Sequence, residues 1–579
     1  MLFFYIYKNF LNSISEIIFD QKYNELKKIN KRYITLYIFK THDIIKKFIF
    51  IQLLIFNFFS LLFFFKFFNN LKFEQKLKIK NFIIKFKILK SDIIYEIVHA
   101  IIILKKDNSE KINCAKKNIL NINYDNFYEN IVIGSGPGGS VTALELIKKN
   151  KSTLLIEKGN FWQLGDRKHS SEEFYNKWKY AGFAGAFGTN IIQYSSGECF
   201  GGGSEINSGL CHLIDKSFFN EKKKREENLF TNHDIEKLLD FNAENLSPYL
   251  NNLSNNLIAG AKKLGWEIKK IPRFQSTVNK SKNSMTNTLL KEYLSLNGKV
   301  SLLTDVTKIK KISHKEYKII SKIKGKEVIF SCKNVYVCCG APYSFNLLKK
   351  SNLIKKNNMD NFHFHPMIKI IAVFSNQVNS ENINDIVSDQ ITNFYPNYIF
   401  GNATSALPFL KISTYPNKNA YNDICNNFKK MTIMHSTFSF GTGEITNIPF
   451  LNNFIIKYKF NTNEYKLITE GLKNLLKLVF NSGATYAYIL DDKITKITKE
   501  DFANNLWLIN SKKIKLSSVH MLGGFNINGS SVIDEYGKIN NHNVYVNDSS
   551  LISKKLLKNP QGAIMAIAKK NIKQNLSQI

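Results

Sequence analysis

A glycine-rich turn between a predicted strand and a predicted helix is the feature that most limits what this chain can fold into. Residues 129–133 have the apolar, β-branched composition of a buried parallel strand, and they lead directly into residues 134–139, GSGPGG. The next ten residues, SVTALELIKK, are typical of a helix. In such a unit Gly134 permits the tight turn, Gly136 lets the backbone approach a pyrophosphate at the helix N-terminus, and Gly139 lets the helix pack closely. The sequence therefore predicts a dinucleotide-binding unit within an α/β fold.

A second predicted strand strengthens this interpretation. Residues 153–156 lead to Glu157, which follows Gly134 by 23 residues and can accept hydrogen bonds from both hydroxyls of an adenosine ribose. A glycine turn alone is often only structural, and an acid at a strand end is usually solvated. The ordered series of strand, glycines, helix, strand and acid favours the dinucleotide site. NAD and FAD enzymes share this unit, so it leaves the choice between them open.

The size and composition of the chain exclude several classes of protein. With roughly 150 residues per domain, the 579 residues predict two to four domains. A hydrophobic content of 44% excludes a mainly disordered, collagen-like or coiled-coil protein, and seven scattered cysteines exclude a disulfide scaffold. The net charge of +35 is compatible with a nucleic-acid or anionic-membrane partner, but the lysines form no single block and no zinc-finger or basic-zipper spacing occurs. We therefore expect no nucleic-acid partner.

Residues 1–125 differ from the rest of the chain because they contain neither glycine nor proline, which favours helices. Within them, residues 48–65, FIFIQLLIFNFFSLLFFF, would rise roughly 27 Å as a helix, close to the thickness of a bilayer core. Two interpretations stay open: a membrane-spanning or interfacial helix, or a very apolar helix packed within a helical N-terminal domain. No cleaved signal peptide is evident, so we expect a membrane-associated or cytoplasmic protein.

A second glycine-rich block occurs at residues 197–207, GECFGGGSEIN. Three consecutive glycines usually mark a flexible loop, but here they lie among apolar residues. Such residues are needed where a backbone lies against a flat ring. The block ends at Asn207, with Ser204 directly after the glycines.

With these blocks the sequence resembles the glucose–methanol–choline (GMC) oxidoreductase family of FAD enzymes over about residues 126–575. That family shows the glycine fingerprint, a G-x-x-x-G-G-[GST]-[GST]-x-x-N block and a C-terminal H-x-x-G-[TG] motif. The third motif is residues 520–524, HMLGG, and it is followed by Asn559-Pro560 before a predicted helix. Residues 364–366, FHP, and residues 483–484 look most like the branch of long-chain alcohol oxidases and related bacterial dehydrogenases.

The resemblance implies an α/β fold, with an FAD-binding Rossmann-type domain, an α+β substrate-binding domain that has a mixed or antiparallel sheet, and a helical N-terminal extension. The predicted segments are 1–125 (extension), 126–215 (FAD-binding domain, first part), 216–295 (helical cap or insert), 296–354 (FAD-binding domain, second part), 355–514 (substrate-binding domain) and 515–579 (C-terminal part of the FAD-binding domain with the catalytic residues).

The resemblance also implies roles for individual residues. His520 would be the base that takes the hydroxyl proton, and Asn559 would orient the substrate oxygen. Asp548 would meet the flavin ribityl chain or the amides beside it, or cap a helix with Ser549. The residues expected to bind the cofactor are Gly134, Gly136, Gly139, Glu157, Gly202, Gly203, Ser204, Asn207, Val306 (through its backbone, at the adenine) and Asp548. Flavin-tethering members carry histidine where Ile206 stands, so we expect non-covalent FAD, and we expect no metal.

The implied function is oxidation of the CH–OH group of an apolar, long-chain or sterol-like alcohol to a carbonyl, by proton abstraction and hydride transfer to flavin N5. Oxygen, a quinone or a cytochrome would then accept the electrons. Three alternatives stay open: a sugar or polyol dehydrogenase that feeds a membrane acceptor, a non-redox lyase that retains FAD, and a membrane-attached binding protein that uses the +35 charge on anionic lipid. We expect His365, which precedes Pro366, to be structural.

Overall fold

The structure, a computed structural model of the chain, describes residues 9–11, 13–14, 31–85, 98, 100–101, 127–162, 171–212, 252–271, 273–274, 282–355, 359–379, 389–414, 417–447, 453–525, 532–552 and 556–577. The helices are α1 Lys31–Lys40, α2 Asp43–Phe64, α3 Phe73–Lys85, α4 Pro137–Lys148, α5 Ser171–Lys177, α6 Gly203–Ile206, α7 Asn252–Lys263, α8 Leu289–Ser295, α9 Ala341–Lys350, α10 Leu407–Thr414, α11 Lys418–Asn427, α12 Thr462–Asn481, α13 Lys499–Ala503 and α14 Gln561–Ser577.

The strands are β1 Phe127–Ile133, β2 Thr153–Ile156, β3 Gly185–Phe187, β4 Ile191–Tyr194, β5 Ile268–Lys270, β6 Lys299–Ser301, β7 Thr304–Lys311, β8 Tyr317–Ile323, β9 Lys326–Val337, β10 Asp360–Val373, β11 Asp389–Ile391, β12 Tyr398–Ala403, β13 Met431–Phe438, β14 Thr442–Thr446, β15 Ile455–Lys459, β16 Tyr486–Ile489, β17 Thr495–Thr498, β18 Ser517–Gly524 and β19 Val544–Val546.

The first sheet has seven strands in the order β6-β2-β1-β9-β8-β7, with β19 also paired to β9. Strands β6, β2, β1, β9 and β19 run parallel, whereas β8 pairs antiparallel with both β7 and β9. On one face, Val141 and Leu144 of α4 pack with Met565 and Ile572 of α14 in one apolar cluster. The predicted strand–glycine–helix unit is therefore the centre of a Rossmann-type layer, as expected.

The second sheet has twelve strands. Ten follow the order β14-β15-β3-β4-β18-β10-β13-β12-β11-β5, and β16 and β17 are attached through β10. Most neighbours are antiparallel, but β15 pairs in parallel with β3, and β18 with β4. This is the mixed sheet that the fold class predicts.

The second sheet takes strands from several of the predicted segments. Strands β3 and β4 lie within residues 126–215, and β18, which carries His520, lies within residues 515–579. His520 therefore lies in the second sheet, whereas the predicted segments assign residues 515–579 to the FAD-binding domain. Motif order cannot reveal this, because β18 pairs with a strand far away in the sequence. Residues 213–251 and 275–281, which include most of the predicted insert, lie outside the described residues.

The N-terminal helices pack against the remainder of the protein. The Tyr37 hydroxyl on α1 donates a hydrogen bond to the carbonyl oxygen of Ala181 at 3.0 Å, and His42 Nε2 lies 3.0 Å from the carbonyl oxygen of Phe454. Helix α2 has 22 residues and is long and apolar enough to cross a membrane, yet one of its faces is buried in this packing. Both interpretations of residues 48–65 stay predictions.

Candidate functional site

The first glycine block forms an open cradle in front of α4. Gly134 has a φ of +100°, and a Cβ there would lie 2.4 Å from the carbonyl oxygen of Cys338, so only glycine fits the turn. A Cβ at Gly139 would lie 1.8 Å from the carbonyl oxygen of Gly134, which shows how closely the helix packs on the turn. Gly136, the N-cap of α4, is different, because a Cβ there would meet nothing within 4 Å. It faces open space at a helix N-terminus, where anions bind favourably.

Glu157 lies at the end of β2 and clamps this turn. Its Oε2 accepts hydrogen bonds from the main-chain nitrogen and the hydroxyl of Ser135, at 3.0 and 2.6 Å, and its Oε1 accepts from the main-chain nitrogen of Gly159 at 2.7 Å. Burial raises the pKa of Glu157, although these hydrogen bonds act in the opposite direction. Because a carboxylate has about four acceptor sites, it retains capacity for a ribose hydroxyl.

The second glycine block touches the first. Gly202 has a φ of +57°, and a Cβ there would lie 2.8 Å from the Cα of Gly136. A Cβ at Gly203 would meet nothing within 4 Å, so this residue opens onto the same space. Ser204 is placed differently from expectation: it is fully buried away from that space, and its hydroxyl is bonded to two main-chain groups of the protein.

Asn207 joins the second block to the start of α14. Its Nδ2 donates to Gln561 Oε1 at 2.6 Å, and its Oδ1 accepts from the main-chain nitrogen of Gly209 at 3.0 Å. The main-chain carbonyl of Asn207 also accepts from Lys282 Nζ at 2.6 Å. The residue thus fixes the distance between two segments that border the same cavity.

Asp548 acts as a cap in this structure. Its Oδ1 accepts from the main-chain nitrogen of Ser550 at 2.8 Å, and its Oδ2 accepts from the main-chain nitrogen of Gly340 at 2.8 Å and from the hydroxyl of Ser344. Burial raises the pKa of Asp548, with these hydrogen bonds opposing the change. Contact with a ribityl chain stays a prediction. Val306 borders the cavity at the point where the register between β7 and β8 shifts.

Of the ten residues predicted to bind the cofactor, all except Gly139 and Ser204 border one cavity of about 2020 Å³, which extends from the two glycine blocks to the second sheet. A pocket for one small molecule usually measures roughly 300–1,000 Å³. The open glycines, the helix N-terminus and the buried acid fit the pyrophosphate and ribose of FAD, and the volume is sufficient for FAD together with a substrate. The residues present therefore fit this cofactor.

His520 borders the same cavity and contacts a second histidine. Its Nδ1 lies 3.0 Å from Nδ1 of His365 on β10, and the two rings are nearly perpendicular. Burial, and then the proximity of His212, lowers the pKa of His520 to about 3. Burial and the neighbouring His520 lower the pKa of His365 as well. His365, which we expected to be structural, is therefore in direct contact with the predicted base.

Asn559 lies directly before α14, and both it and His520 border the cavity. Its main-chain N–H donates to His212 Nδ1 at 3.0 Å, and His212 Nε2 lies 3.0 Å from Gln390 Oε1. Since Nδ1 of His212 is an acceptor, its Nε2 carries the proton and donates to Gln390. These two hydrogen bonds, both made by His212, link the start of α14 to β11 in the second sheet.

The second sheet presents alternate side chains to the cavity, as strand geometry requires. On β10 these residues are His365, Met367 and Lys369, and on β13 they include His435 and Thr437. None of these polar residues, nor His212, is among the site residues predicted from the sequence. The only local signal was His365-Pro366, because the partners of these residues lie on strands that are distant in sequence.

The N-terminal extension supports one side of the cavity. Phe174, Ala181, Phe409 and Ile412 border the cavity and also pack in the apolar cluster of the N-terminal helices. Among the residues that the structure describes, no group of three or more His, Cys, Asp or Glu side chains is placed to hold a metal ion.

Comparison with known proteins gives consistent results. The sequence model of the GMC oxidoreductase family matches residues 128–367. An uncharacterised GMC-type oxidoreductase of Sinorhizobium fredii is 23% identical over 480 residues, which cover 76% of this chain and 92% of the relative. Another, from Mycobacterium tuberculosis, is 27% identical over 154 residues, 25% of this chain and 24% of the relative.

Two solved structures share the fold. A pyridoxine 4-oxidase from Mesorbium loti has a TM-score of 0.59 at 13% identity, and covers 78% of this chain and 99% of its own. A formate oxidase from Aspergillus oryzae has a TM-score of 0.59 at 12% identity, with 79% and 99% covered. At these identities the likeness concerns the fold alone.

Proposed function

We propose that this chain, a member of the GMC oxidoreductase family, is an FAD-dependent enzyme. It oxidises the CH–OH group of an alcohol to a carbonyl. One observation supports this proposal above all. His520 from the second sheet and Asn559 from the start of α14 border the cavity onto which both glycine blocks open. Family members generally bind FAD, which when bound supplies the acceptor for the hydride.

His520 serves as the base. Its lowered pKa, about 3 because of burial, keeps the imidazole uncharged at neutral pH, and only the uncharged ring can accept the hydroxyl proton. One of the two Nδ1 atoms in the contact with His365 must carry a hydrogen. In the tautomer in which His365 Nδ1 is the acceptor, His520 donates from Nδ1 and keeps a free lone pair on Nε2. The proposed mechanism uses this tautomer, with Nε2 of His520 facing the substrate hydroxyl.

Asn559 positions the substrate oxygen. Its backbone is held by His212, so its side chain is presented to the cavity from a fixed point. A side-chain amide can donate a hydrogen bond to the oxygen as negative charge develops there. The N-terminus of α14 follows directly and adds its partial positive charge at the same place.

The side chains opposite the glycine blocks favour a polar substrate. Lys369, His435, Thr437 and Gln390 border that part of the cavity, beside the apolar residues Met367, Ile399 and Ile433. Burying a purely apolar substrate there would leave the Lys369 ammonium without a partner, which is costly. Between our two expectations, an apolar alcohol or a sugar-like or polyol alcohol, this lining supports the second.

Anaerobic mixing of the purified protein with alcohols tests the proposal. We expect flavin absorbance near 450 nm, roughly, to disappear with a polar alcohol faster than with decanol, and not at all without substrate. Readmission of oxygen, a soluble quinone or ferricytochrome c then identifies the acceptor. Persistence of the oxidised spectrum with every alcohol would leave the non-redox lyase as the better function.

We further propose that the FAD is not covalently bound. Ile206 borders the cavity where tethering members of the family carry a histidine, and an aliphatic side chain cannot form that bond. Acid precipitation is therefore expected to release the yellow colour into the supernatant. Colour that stays in the pellet would overturn this point.

The extension, we propose, attaches the enzyme to a membrane with α2 lying in the membrane plane. The face formed by Ile49, Leu53 and Phe56 is buried against the protein, whereas the opposite face exposes Phe58 and Leu62 by 61% and 56%. Further exposed apolar residues on α2 are Ile51, Leu54, Leu61 and Phe63. A helix that uses one face for the protein and has a second apolar face matches an interfacial anchor better than a spanning helix.

Charge supports an anionic lipid surface as the partner. Lys47 and Lys66 are exposed at the two ends of this apolar face, and Lys72 and Lys78 lie nearby on or beside α3. Flotation with vesicles of phosphatidylglycerol and phosphatidylcholine, against pure phosphatidylcholine, tests the assignment. We expect binding to the anionic vesicles only, reduced by the paired change Phe58→Ser and Leu62→Ser. Equal flotation of this double variant would disprove it.

A further inference from the structure

A row of four residues crosses the cavity face of the second sheet. In the pairing registers Lys369 on β10 lies opposite His435 on β13, His435 opposite Gly401 on β12, and Gly401 opposite Gln390 on β11. Residues directly opposite one another on neighbouring strands project from the same face. Gly401 has no side chain, and a Cβ there would come within 3.2 Å of the His435 ring. The row therefore runs from a cation, past an imidazole and a gap, to an amide.

Lys369 is the unexplained member of this row. Its side chain borders the cavity, and no residue in the described part of the chain forms an ion pair or hydrogen bond with it. Burial lowers its pKa to about 8, and no described acid appears among the causes of the shift. Its titratable neighbour is His435, whose pKa is lowered to about 4 by burial and then by Lys369, so that this imidazole is neutral. An ammonium placed there without a counter-ion has a cost in folding free energy.

The acidic residues that border the cavity lie elsewhere and are already used. Glu157 and Asp548 hold turns beside the glycine blocks. The other four are Glu173, Glu198 and Asp305, which lie 3.6, 3.4 and 3.1 Å from Lys177, Lys179 and Lys158, and Glu205, which accepts from the main-chain nitrogen of Thr286. His435 has no spare donor for an anion, because its Nδ1 contacts the Thr437 hydroxyl and its other nitrogen is close to the backbone of Asn402. The part of the cavity against the second sheet is thus positively charged.

We propose that Lys369 is the counter-ion of an oxyanion on the substrate, so that the alcohol oxidised here also carries a carboxylate or a phosphate. This inference rests on the proposed function and narrows its substrate class. The charge-assisted hydrogen bond from the ammonium to such a group is about twice as strong as a neutral one, and it would remove the uncompensated charge.

The strand fixes an approximate separation between the oxyanion and the reacting hydroxyl. His365, which contacts the base His520, precedes Lys369 on β10 by four residues, which corresponds to about 13 Å of extended chain. The flexible lysine side chain shortens this separation. Substrates in which several bonds lie between hydroxyl and oxyanion therefore fit better than α-hydroxy acids such as lactate.

Binding and turnover together test the inference on the FAD-loaded enzyme. Octanoate, octyl phosphate and octanol, which differ only in the head group, are titrated while the flavin absorbance spectrum is followed. Flavin reduction is then measured with 8-hydroxyoctanoate and with octane-1,8-diol. The variants are Lys369→Met, Lys369→Arg and, as a control on the exposed face of α12, Lys477→Met.

We expect Lys369→Met to weaken octanoate or octyl phosphate binding by roughly 10- to 100-fold, the loss typical of a hydrogen bond to a charged group, and to leave octanol unchanged. If octanoate loses more affinity than octyl phosphate, the oxyanion is a carboxylate, and if octyl phosphate loses more, it is a phosphate. Turnover of 8-hydroxyoctanoate should fall by a similar factor. Turnover of the diol should fall by less, because its second hydroxyl forms a weaker hydrogen bond with the ammonium than a carboxylate does. Lys369→Arg should restore part of the loss, and Lys477→Met should behave as the parent enzyme.

The two proposals fail in different ways. If the diol reduces the flavin but a negative charge improves neither binding nor turnover, or if Lys369→Met weakens octanol and octanoate equally, the role of Lys369 is wrong and the alcohol oxidation stands. If no alcohol reduces the flavin while octanoate binding still depends on Lys369, the anion site stands and the proposed reaction is wrong.

Discussion

The two sides of the cavity are built by different means. On the side of the first sheet, main-chain conformation shapes the site: Gly134 needs a positive φ, Gly136 leaves open space, and Gly203 does the same from the second block. On the side of the second sheet, His365, Lys369 and other side chains on paired strands shape it. The first kind of site is contained in a short stretch of sequence, and the second exists only after strands have paired. The cofactor side can therefore be recognised from a short sequence motif, whereas the substrate side cannot.

The largest expected effect separates chemistry from cofactor binding. Replacing His520 by alanine removes a side chain of the second sheet, and we expect flavin reduction to slow by about 10²- to 10⁴-fold, the usual contribution of a positioned base. The FAD content should stay at the level of the parent enzyme, because the glycine blocks are untouched. Anaerobic stopped-flow absorbance measures the rate.

The control for this change is His314→Ala, at an exposed position in the loop between β7 and β8. It should leave the rate unchanged. A His520→Ala enzyme that reduced its flavin at the parental rate would show that the base is another residue. The assignment of proton abstraction to the side of the second sheet would then be wrong.

A second pair of variants tests whether the backbone governs the cofactor side. Gly136→Ala places a methyl group in open space, so we expect normal folding but FAD binding weaker by roughly 10-fold or more, through collision with the pyrophosphate. Gly138→Ala places its Cβ 1.8 Å from the carbonyl oxygen of Asn547 and should abolish folding. Flavin titration and thermal melting of the flavin-free proteins measure both. Unchanged FAD affinity in Gly136→Ala would contradict the proposal that the pyrophosphate lies against the main chain at Gly136.

The substrate side should respond to pH through Lys369. Because its pKa in the free enzyme is lowered to about 8, the ammonium is present below that pH and lost above it. The dissociation constant for octanoate should therefore rise about 10-fold per pH unit above pH 8. His435, whose pKa is lowered to about 4, stays neutral throughout this range, and the lowered pKa of His365 keeps it neutral as well. A dissociation constant that is flat to pH 10 would remove Lys369 from anion binding, and octanol serves as the pH-independent control.

The smallest effect is expected at the junction of the two sides. Asn559→Ala deletes one hydrogen bond to the substrate oxygen, so we expect kcat to fall by about 3- to 10-fold. The hydrogen bond to His212 uses the main chain and survives the change. Steady-state kinetics with a good substrate measures the loss. A fall as large as that of His520→Ala would mean that Asn559 does more than orient the oxygen.

The sequence was informative where the structure is local. The strand–glycine–helix unit and Glu157 lie within one continuous stretch, and the structure brings them together as predicted. Ser204 shows the limit of this reasoning, since proximity to glycines in sequence does not determine which way a hydroxyl points. His365 and His520, 155 residues apart, meet only because β10 pairs with β18, and no local pattern signals that pairing.

The packing of the N-terminal helices against Phe174, Ala181 and Phe409 also bears on how this protein can have evolved. The extension is not a detachable appendage, because the apolar residues it covers would be left facing water without it. A lineage that lost residues 1–125 would need compensating polar substitutions at those covered positions, and one that acquired such an extension would need the reverse. We therefore expect paired gains and losses among related sequences, with the extension and positions 174, 181 and 409 inherited together as a single evolutionary unit.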